Sequence, residues 1–326
     1  MKRREWLALS AALVCVPASR HVAAQAGRVY RVGYLAPGTA ESAELASGPF
    51  LRKMNALGYV EGRNLVWIRK FADNDASRLP ALAAELIAAN VDVIVGGGTP
   101  ATHAARKATS TIPIVGFNIT DPIASHMTTS LARPSANVTG ATNMAAEIGG
   151  KRLDILRALV PKMRRAGFFF NLDNPANLIG RGIVEKYRNA GIEIIELGLR
   201  RPEEIEPAFR KAQARRADAV HISLDFLFTE EAKRMARLAL EHRLPSIGGH
   251  RRLVEDGGLA SFGASLEEVR NQSAVLVDRI LKGAKPAELP FVLAENFELC
   301  LNRKTAAALG LTIPPELLVR ADLVVE

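Results

Sequence analysis

The chain has 326 residues, 48% of them apolar and 24% charged, and carries a formal net charge of +9. This is enough core for one large or two medium domains. The basic residues are scattered, with pairs such as Arg215-Arg216 and Arg251-Arg252 but no basic run interleaved with aromatics, which argues against a nucleic-acid partner.

The N-terminus reads as an export leader. Met1-Lys-Arg-Arg-Glu is a basic head, Trp6 to Val16 a short apolar run, and Ala24-Gln25-Ala26 a small-residue cleavage site. The apolar run is too short to span a bilayer comfortably, and nothing later approaches that length. Arg3-Arg4-Glu5-Trp6-Leu7 also fits a twin-arginine leader loosely. Cys15 follows Val14 and lacks the small residue that a lipoprotein signal places before its cysteine. Cleavage after Ala26 leaves a free product holding only Cys300, so no internal disulfide is expected despite export. Cys300 lies in the strand-like run FELCLN and reads as a small core residue.

Strands and helices then alternate, the pattern of a mostly parallel α/β sheet. Val29 to Leu35 is a strand, followed by the loop Ala36-Pro37-Gly38-Thr39 and a helix that stops at Gly58. Leu65 to Phe71 is the second strand. Ser77 is placed to cap a helix with the stripe Leu79, Leu82, Ala83, Leu86 and Ile87. The stretch from Val91 to Pro122 reads as strand, glycine turn, helix, strand and polar turn. Val91, Val93, Ile94 and Val95 form the β-branched run, Gly96, Gly97 and Gly98 break it, and Thr99 caps a helix with Pro100 in its first turn. Ile112 to Phe117 follows, ending in Asn118-Ile119-Thr120-Asp121-Pro122. Arg133 to Asn137 is a turn before Val138-Thr139-Gly140.

A second set begins near residue 143. A helix covers Ile148 to Leu159, a strand Ala166 to Asn171, and the strand end reads Leu172-Asp173-Asn174-Pro175. After a helix to Ala190 comes a strand over Ile192 to Leu197, then a helix over Pro202 to Arg215. The strand Asp218 to Ile222 ends in Ser223-Leu224-Asp225. Thr229 is expected to cap a helix running through His242, with Glu230 and Glu231 in its first turn. Pro245 to Ile247 ends in Gly248-Gly249-His250, and Leu259 to Phe262 is another strand. Ser265-Leu-Glu-Glu268 is a capping box for a long helix to Lys282. The tail holds a strand over Phe297 to Leu301, a helix over Lys304 to Leu309 and a last stretch from Leu317 to Val325.

Catalytic signatures are missing. There is no G-x-S-x-G, H-E-x-x-H or C-x-x-C, and the triglycine fits neither a dinucleotide fingerprint nor a P-loop. No histidine pairs with a carboxylate at ligand spacing, so neither a metal nor a cofactor is expected. His103, His126, His221 and His242 read as structural. His250, after a strand and a Gly-Gly turn, is placed to face a cleft.

What the strand ends offer is binding chemistry, since open α/β folds take ligands at the carboxyl edge of the sheet. The helix N-terminus after Gly98 favours an anion, with Thr99 as cap, ligand donor or both. Asp121 either caps the turn at Pro122 or serves as counter-charge to a ligand amine. Pro37, Thr120, Asn174, Ser223, Asp225 and His250 complete the candidate ligand-binding set, drawn from both halves.

These segments resemble a known family. LGYVEGRN (57–64), RLPALAAEL (78–86), ATSTIPIV (108–115), SLARPSANVTG (130–140), VDRILKGAKP (277–286) and AAALGLTIPP (306–315) are similar, in order, to the periplasmic substrate-binding proteins of ABC transporters of the tryptophan/tyrosine type. The resemblance implies a type I periplasmic-binding-protein-like fold: α/β, with two doubly wound lobes of parallel sheet joined by a hinge. It implies a signal peptide at 1–26, lobe 1 over 27–142 plus about 265–290, and lobe 2 over 143–264 plus about 291–326. By position, Thr99 and the Gly98 turn would bind a carboxylate and Asp121 an amine, with Asn174 and Asp225 closing from lobe 2. Two departures fall in the expected pocket. Asp225 is followed by Phe226 where relatives often have proline, and Gly249-His250 stands where an aromatic or acidic residue is frequent.

The implied function is a monomeric periplasmic receptor that captures a small polar ligand, such as an amino acid or related carboxylate, by lobe closure. Its partners would be ABC permease subunits with a cytoplasmic ATPase. The alternatives are a ligand sensor acting on a membrane protein and, with less in its favour, an exported α/β enzyme.

Overall fold

A computed structural model describes residues 28–134, 136–145, 148–174, 176 and 180–326. The expected leader and Pro175 lie outside the described residues. The first run of elements is β1 (Tyr30–Ala36), α1 (Ala40–Ala56), β2 (Leu65–Phe71), α2 (Leu79–Ala88), β3 (Val93–Gly97), α3 (Gly98–Ala108), β4 (Ile114–Ile119) and β5 (Val138–Thr142). The second is α4 (Gly149–Leu159), β6 (Arg165–Asn171), α5 (Gly180–Asn189), β7 (Glu193–Leu199), α6 (Ile205–Ala214), β8 (Ala219–Ile222), α7 (Phe226–Glu230), α8 (Ala232–Glu241), β9 (Ser246–Gly248), α9 (Arg252–Glu255) and β10 (Ala260–Ala264). The chain closes with α10 (Leu266–Leu281), β11 (Val292–Leu293), β12 (Phe297–Asn302), α11 (Arg303–Leu309), α12 (Pro315–Arg320) and β13 (Leu323–Val325).

Two sheets result. One has the order β11-β5-β4-β3-β1-β2, the other β13-β12-β10-β9-β8-β6-β7. Every strand pair is parallel except β10 with β12. Each sheet reverses its strand order at one point, between β1 and β3 in the first and between β6 and β8 in the second. The carboxyl ends of those strands therefore flank a crevice in each lobe.

Both faces of each sheet are covered. In the first, Val32, Tyr34, Val93, Val95, Val115 and Phe117 meet Phe50 and Met54 of α1 and Ala274, Val277 and Ile280 of α10. Phe50, Trp67, Tyr34 and Phe117 stack in sequence at 5.3, 5.3 and 5.5 Å. Leu35, Ile94 and Ile114 face α2 and α3 on the other side. The second sheet buries α4 and α5 with the C-terminal helices on one face and α6 and α8 on the other. Such wholly buried strands require the continuous β-branched and aromatic runs seen in the sequence. Cys300 is buried and unpaired within β12.

The chain passes between the sheets after β5, after β10 and after β11. Helix α10 packs against α1 and β4, and its Asp278 accepts a buried hydrogen bond from the Tyr59 hydroxyl at 2.9 Å. Val292 and Leu293 still pair with β5, so the final return begins only after residue 293.

Several local expectations are corrected. Gly96 and Gly97 remain in β3, and the turn falls at Gly98 alone, whose φ of +84° suits glycine. A side chain on Gly96 would strike the backbone of Thr102, so the glycine run lets α3 lie against its own strand. Asp75, rather than Ser77, caps the turn before α2. The expected helix from Thr229 to His242 is two helices. Asp225 caps α7, the chain breaks at Glu231, and α8 begins at Ala232. Ser265 makes no side-chain cap bond, and Glu268, its expected capping-box partner, accepts from the Asn296 amide of a crossing segment at 3.1 Å. The last stretch is a helix followed by a short strand.

Candidate functional site

The carboxyl ends of β1, β3 and β4 face those of β6 and β8 across the gap between the lobes. A narrow cavity of about 40 Å³ lies there. Of the candidate residues, it brings together Pro37, Gly98, Thr99 and Thr120 from the first lobe with Asn174 and Asp225 from the second.

On the first-lobe wall, Gly98 opens α3 and Thr99 sits in its first turn, with Gly97 as the uncapped N-terminal residue. Thr99 is 2% exposed. Its hydroxyl oxygen accepts from the Thr120 amide at 3.2 Å, which leaves its proton to donate. Thr99 is thus held by the neighbouring strand end and does not cap its own helix. Asn118 and Asn143 form the floor. Asn118 adopts φ +60°, and its carbonyl and side-chain oxygens both accept from the Asn143 amide, at 3.2 and 2.7 Å. Asparagine tolerates this left-handed backbone better than most residues.

Opposite stands Asp225, buried at 8% exposure. One carboxylate oxygen accepts from the Asn171 side chain and the Leu227 amide, both at 2.9 Å, and the other from the Asn174 side chain at 2.6 Å. All three donors are neutral. Burial pushes the Asp225 carboxyl upward and the hydrogen bonds from Asn171, Asn174 and Leu227 pull it partly back. Asn174 is fixed in turn by accepting from the Ala176 amide at 2.9 Å. Asp173 carries an ion pair with Arg200, and both line the cavity rim.

Phe226 spans the gap. A side chain on Gly98 would stand 3.3 Å from its ring, so the lobes are in van der Waals contact here. A second bridge comes from Glu230 at the end of α7. It accepts from the Thr39 amide at 3.0 Å, from the Ser42 hydroxyl and from the Asn74 side chain.

A larger cavity of about 430 Å³ adjoins the first, and Asn118, Asp225 and Phe226 line both. His250 lines this second space, with its Nδ1 accepting from the Arg252 amide at 3.3 Å. Burial, with Arg270, Arg252 and Arg251 around it, lowers the His250 pKa to about 3, so the ring is neutral.

Two candidates lie elsewhere. Asp121 does not line either cavity, and its carboxylate accepts from the Ile123 and Ala124 amides, both at 2.9 Å. It closes the turn at Pro122. The Ser223 hydroxyl, just after β8, is buried, has no hydrogen-bond partner among the described residues and lies outside both cavities. Lining residues absent from the candidate set are Asn74, Asn118, Asn143 and Asn171, while Phe226, noted as a departure in the expected pocket, is found there. Asn118 and Asn171 end strands just as Asp225 follows one, a signal that was available for them. Among the described residues no cluster of His, Cys, Asp and Glu suits a metal, and no helix is long and apolar enough to cross a membrane.

Comparison with known proteins agrees with this architecture. A tyrosine-binding protein of Clostridioides difficile (strain R20291) is 25% identical over 271 residues, covering 83% of this chain and 78% of its own. A solved conserved domain protein of Vibrio cholerae is 25% identical with a TM-score of 0.85, covering 91% of this chain and all of that one. An ABC domain in complex with L-Trp from Streptococcus pneumonia, 23% identical, gives 0.83 at the same coverage. The ligand-free, open structure of a substrate-binding protein with adhesive properties from Clostridium difficile gives only 0.64, at 22% identity and 91% coverage of this chain. Residues 39–325 match the family described as ABC transporter substrate binding protein. The chain therefore belongs to that family, whose members bind small ligands for ABC transporters and are not enzymes.

Proposed function

We propose that this protein is the periplasmic receptor of an ABC importer and that it captures a ligand with an amino-acid head group. The carrying observation is Asp225, a buried carboxylate facing the cleft and held by three neutral N–H donors, with no ion pair among the described residues. A ligand ammonium would supply the missing positive charge. The ligand carboxylate would meet the free N–H groups of α3 and the Thr99 hydroxyl. The role expected of Asp121 thus passes to Asp225, on the other lobe. The relatives that bind tyrosine and L-Trp support this reading.

Calorimetry on Asp225→Asn tests it. Loss of the charge should weaken a co-purified amino acid, identified by mass spectrometry, by at least about tenfold, or about 1.4 kcal/mol. Unchanged affinity would overturn the assignment. Export by residues 1–26 predicts a secreted product whose intact mass starts at Gly27. A product retaining Met1 would remove the leader from the proposal.

A further inference from the structure

The second cavity carries a cation without a counterpart. Arg270 projects from α10 and lines this space. Its Nε is buried and has no acceptor, and the side chain forms neither an ion pair nor a hydrogen bond with the described residues. Every other charge on the wall is engaged. Arg251 pairs with Glu255 at 2.8 Å and Arg252 with Asp256 at 3.4 Å. Glu230 is held by Thr39, Ser42 and Asn74, and Asp225 by its three N–H donors. Glu267 on the same helix turns outward to Arg52. The buried Tyr34 hydroxyl, also without a partner, is near enough to Arg270 to feel its charge.

An unpaired guanidinium in such a place is costly to the empty protein and suited to an incoming anion. Its planar fork matches a carboxylate with two parallel hydrogen bonds. The sizes agree. At about 40 Å³ the first cavity admits a head group only, whereas the second, at about 430 Å³, has room for the rest of a small molecule. The two adjoin at Asn118, Asp225 and Phe226, so one ligand can reach from Asp225 to Arg270.

We infer that the ligand is an acidic amino acid or close analogue, whose second carboxylate Arg270 receives in the larger cavity. This rests on the reading of Asp225 and Thr99 as the head-group site. Burial draws the Arg270 pKa down, opposed in part by Tyr34 and Glu267.

Calorimetry with L-aspartate, L-glutamate, L-2-aminoadipate, L-leucine and glutarate, on the wild type and on Arg270→Gln, Arg270→Lys and Asp225→Asn, tests the inference. At least one acidic amino acid should bind at least tenfold more tightly than L-leucine. Arg270→Gln should abolish that advantage, Arg270→Lys should restore part of it, and the ligand-free melting temperature of Arg270→Gln should equal or exceed the wild type. If L-leucine binds as well as the acids and Arg270→Gln changes nothing, the inference fails while Asp225 keeps its role. Failure of all three acidic amino acids to bind the wild type also overturns it. If glutarate binds as tightly as L-glutamate, with loss on Arg270→Gln and none on Asp225→Asn, Arg270 stands and the amino head group falls. Should Arg270→Gln not fold, Arg270→Lys and the ligand series decide.

Discussion

Asp121 and Asp225 both follow strands, and each accepts amides from the turn that it begins. What separates them is surroundings. Asp121 spends one oxygen on two amides beside solvent. Asp225 is buried at the seam of the lobes, where a charge has strong effects. His221 shows the same influence of burial. It lies within the β8 core, with Nδ1 3.0 Å from the Tyr187 hydroxyl and Nε2 without a partner. Burial, aided by the positive charge of Arg152, holds its pKa well below the ordinary 6.5. In the unfolded chain it would bind a proton that the folded chain refuses. Its contribution is therefore complete above pH 6.5 and declines as the pH falls from there toward the folded value. Thermal melts across that range should show a falling melting temperature. His221→Asn, which keeps a partner for Tyr187, should flatten the slope while lowering stability at neutral pH. An unchanged slope would assign the acid sensitivity to other groups.

At the scale of elements, α7 is five residues long and carries Phe226 at its start and Glu230 at its end. Both reach the first lobe. The fit to β1 is tight, since a Cβ on Gly38 would lie 1.8 Å from Glu230 Oε1. Gly38→Ala should therefore leave each lobe intact and disfavour their closure. Ligand affinity should fall by roughly tenfold with little change in the ligand-free melting temperature. In a Glu230→Ala background most of the Gly38→Ala penalty should disappear, because the approach to Glu230 Oε1 is removed and only that to Ser42 Oγ, at 2.7 Å within the first lobe, is left. Additive losses would show that the latch is not the cause. The sequence pattern places Thr229 and Glu230 at the start of a longer helix, whereas they end α7. The break from α8 was not legible there, because Glu230 is turned away from its helix by partners 156 to 191 residues distant.

At the scale of the whole molecule, the two lobes are joined by the crossings after β5, β10 and β11. Arg152, 1% exposed, projects from α4 among them. Its Nε donates to the Phe262 carbonyl at 2.7 Å and one Nη to the Ala145 carbonyl at 3.5 Å, so it fastens the start of the second lobe to the end of β10. Burial lowers its pKa to about 10, and it stays charged at neutral pH. Arg152→Met should leave Phe262's carbonyl short of a donor and cost about 1–3 kcal/mol in denaturant unfolding. It should also weaken ligand binding, by loosening the frame in which the lobes close. Loss of stability at wild-type affinity would confine Arg152 to a structural role.

The alternation of strands and helices, the Gly58 stop, the buried Cys300 and the family membership follow from the sequence alone, because periodicity, turn chemistry and motif order are local properties of the chain. So does the choice of Thr99, Asp121 and Asp225 as candidates, each just after a strand. Only the tertiary structure decided which strand ends meet. It set Asp225 at the seam of the lobes and Asp121 outside both cavities, turned Thr99 from a helix cap into a partner of Thr120, and placed Arg270 beside a cavity that no nearby residue foreshadows. These outcomes depend on contacts between segments far apart in sequence, where packing and burial, rather than any residue's own preference, set the chemistry.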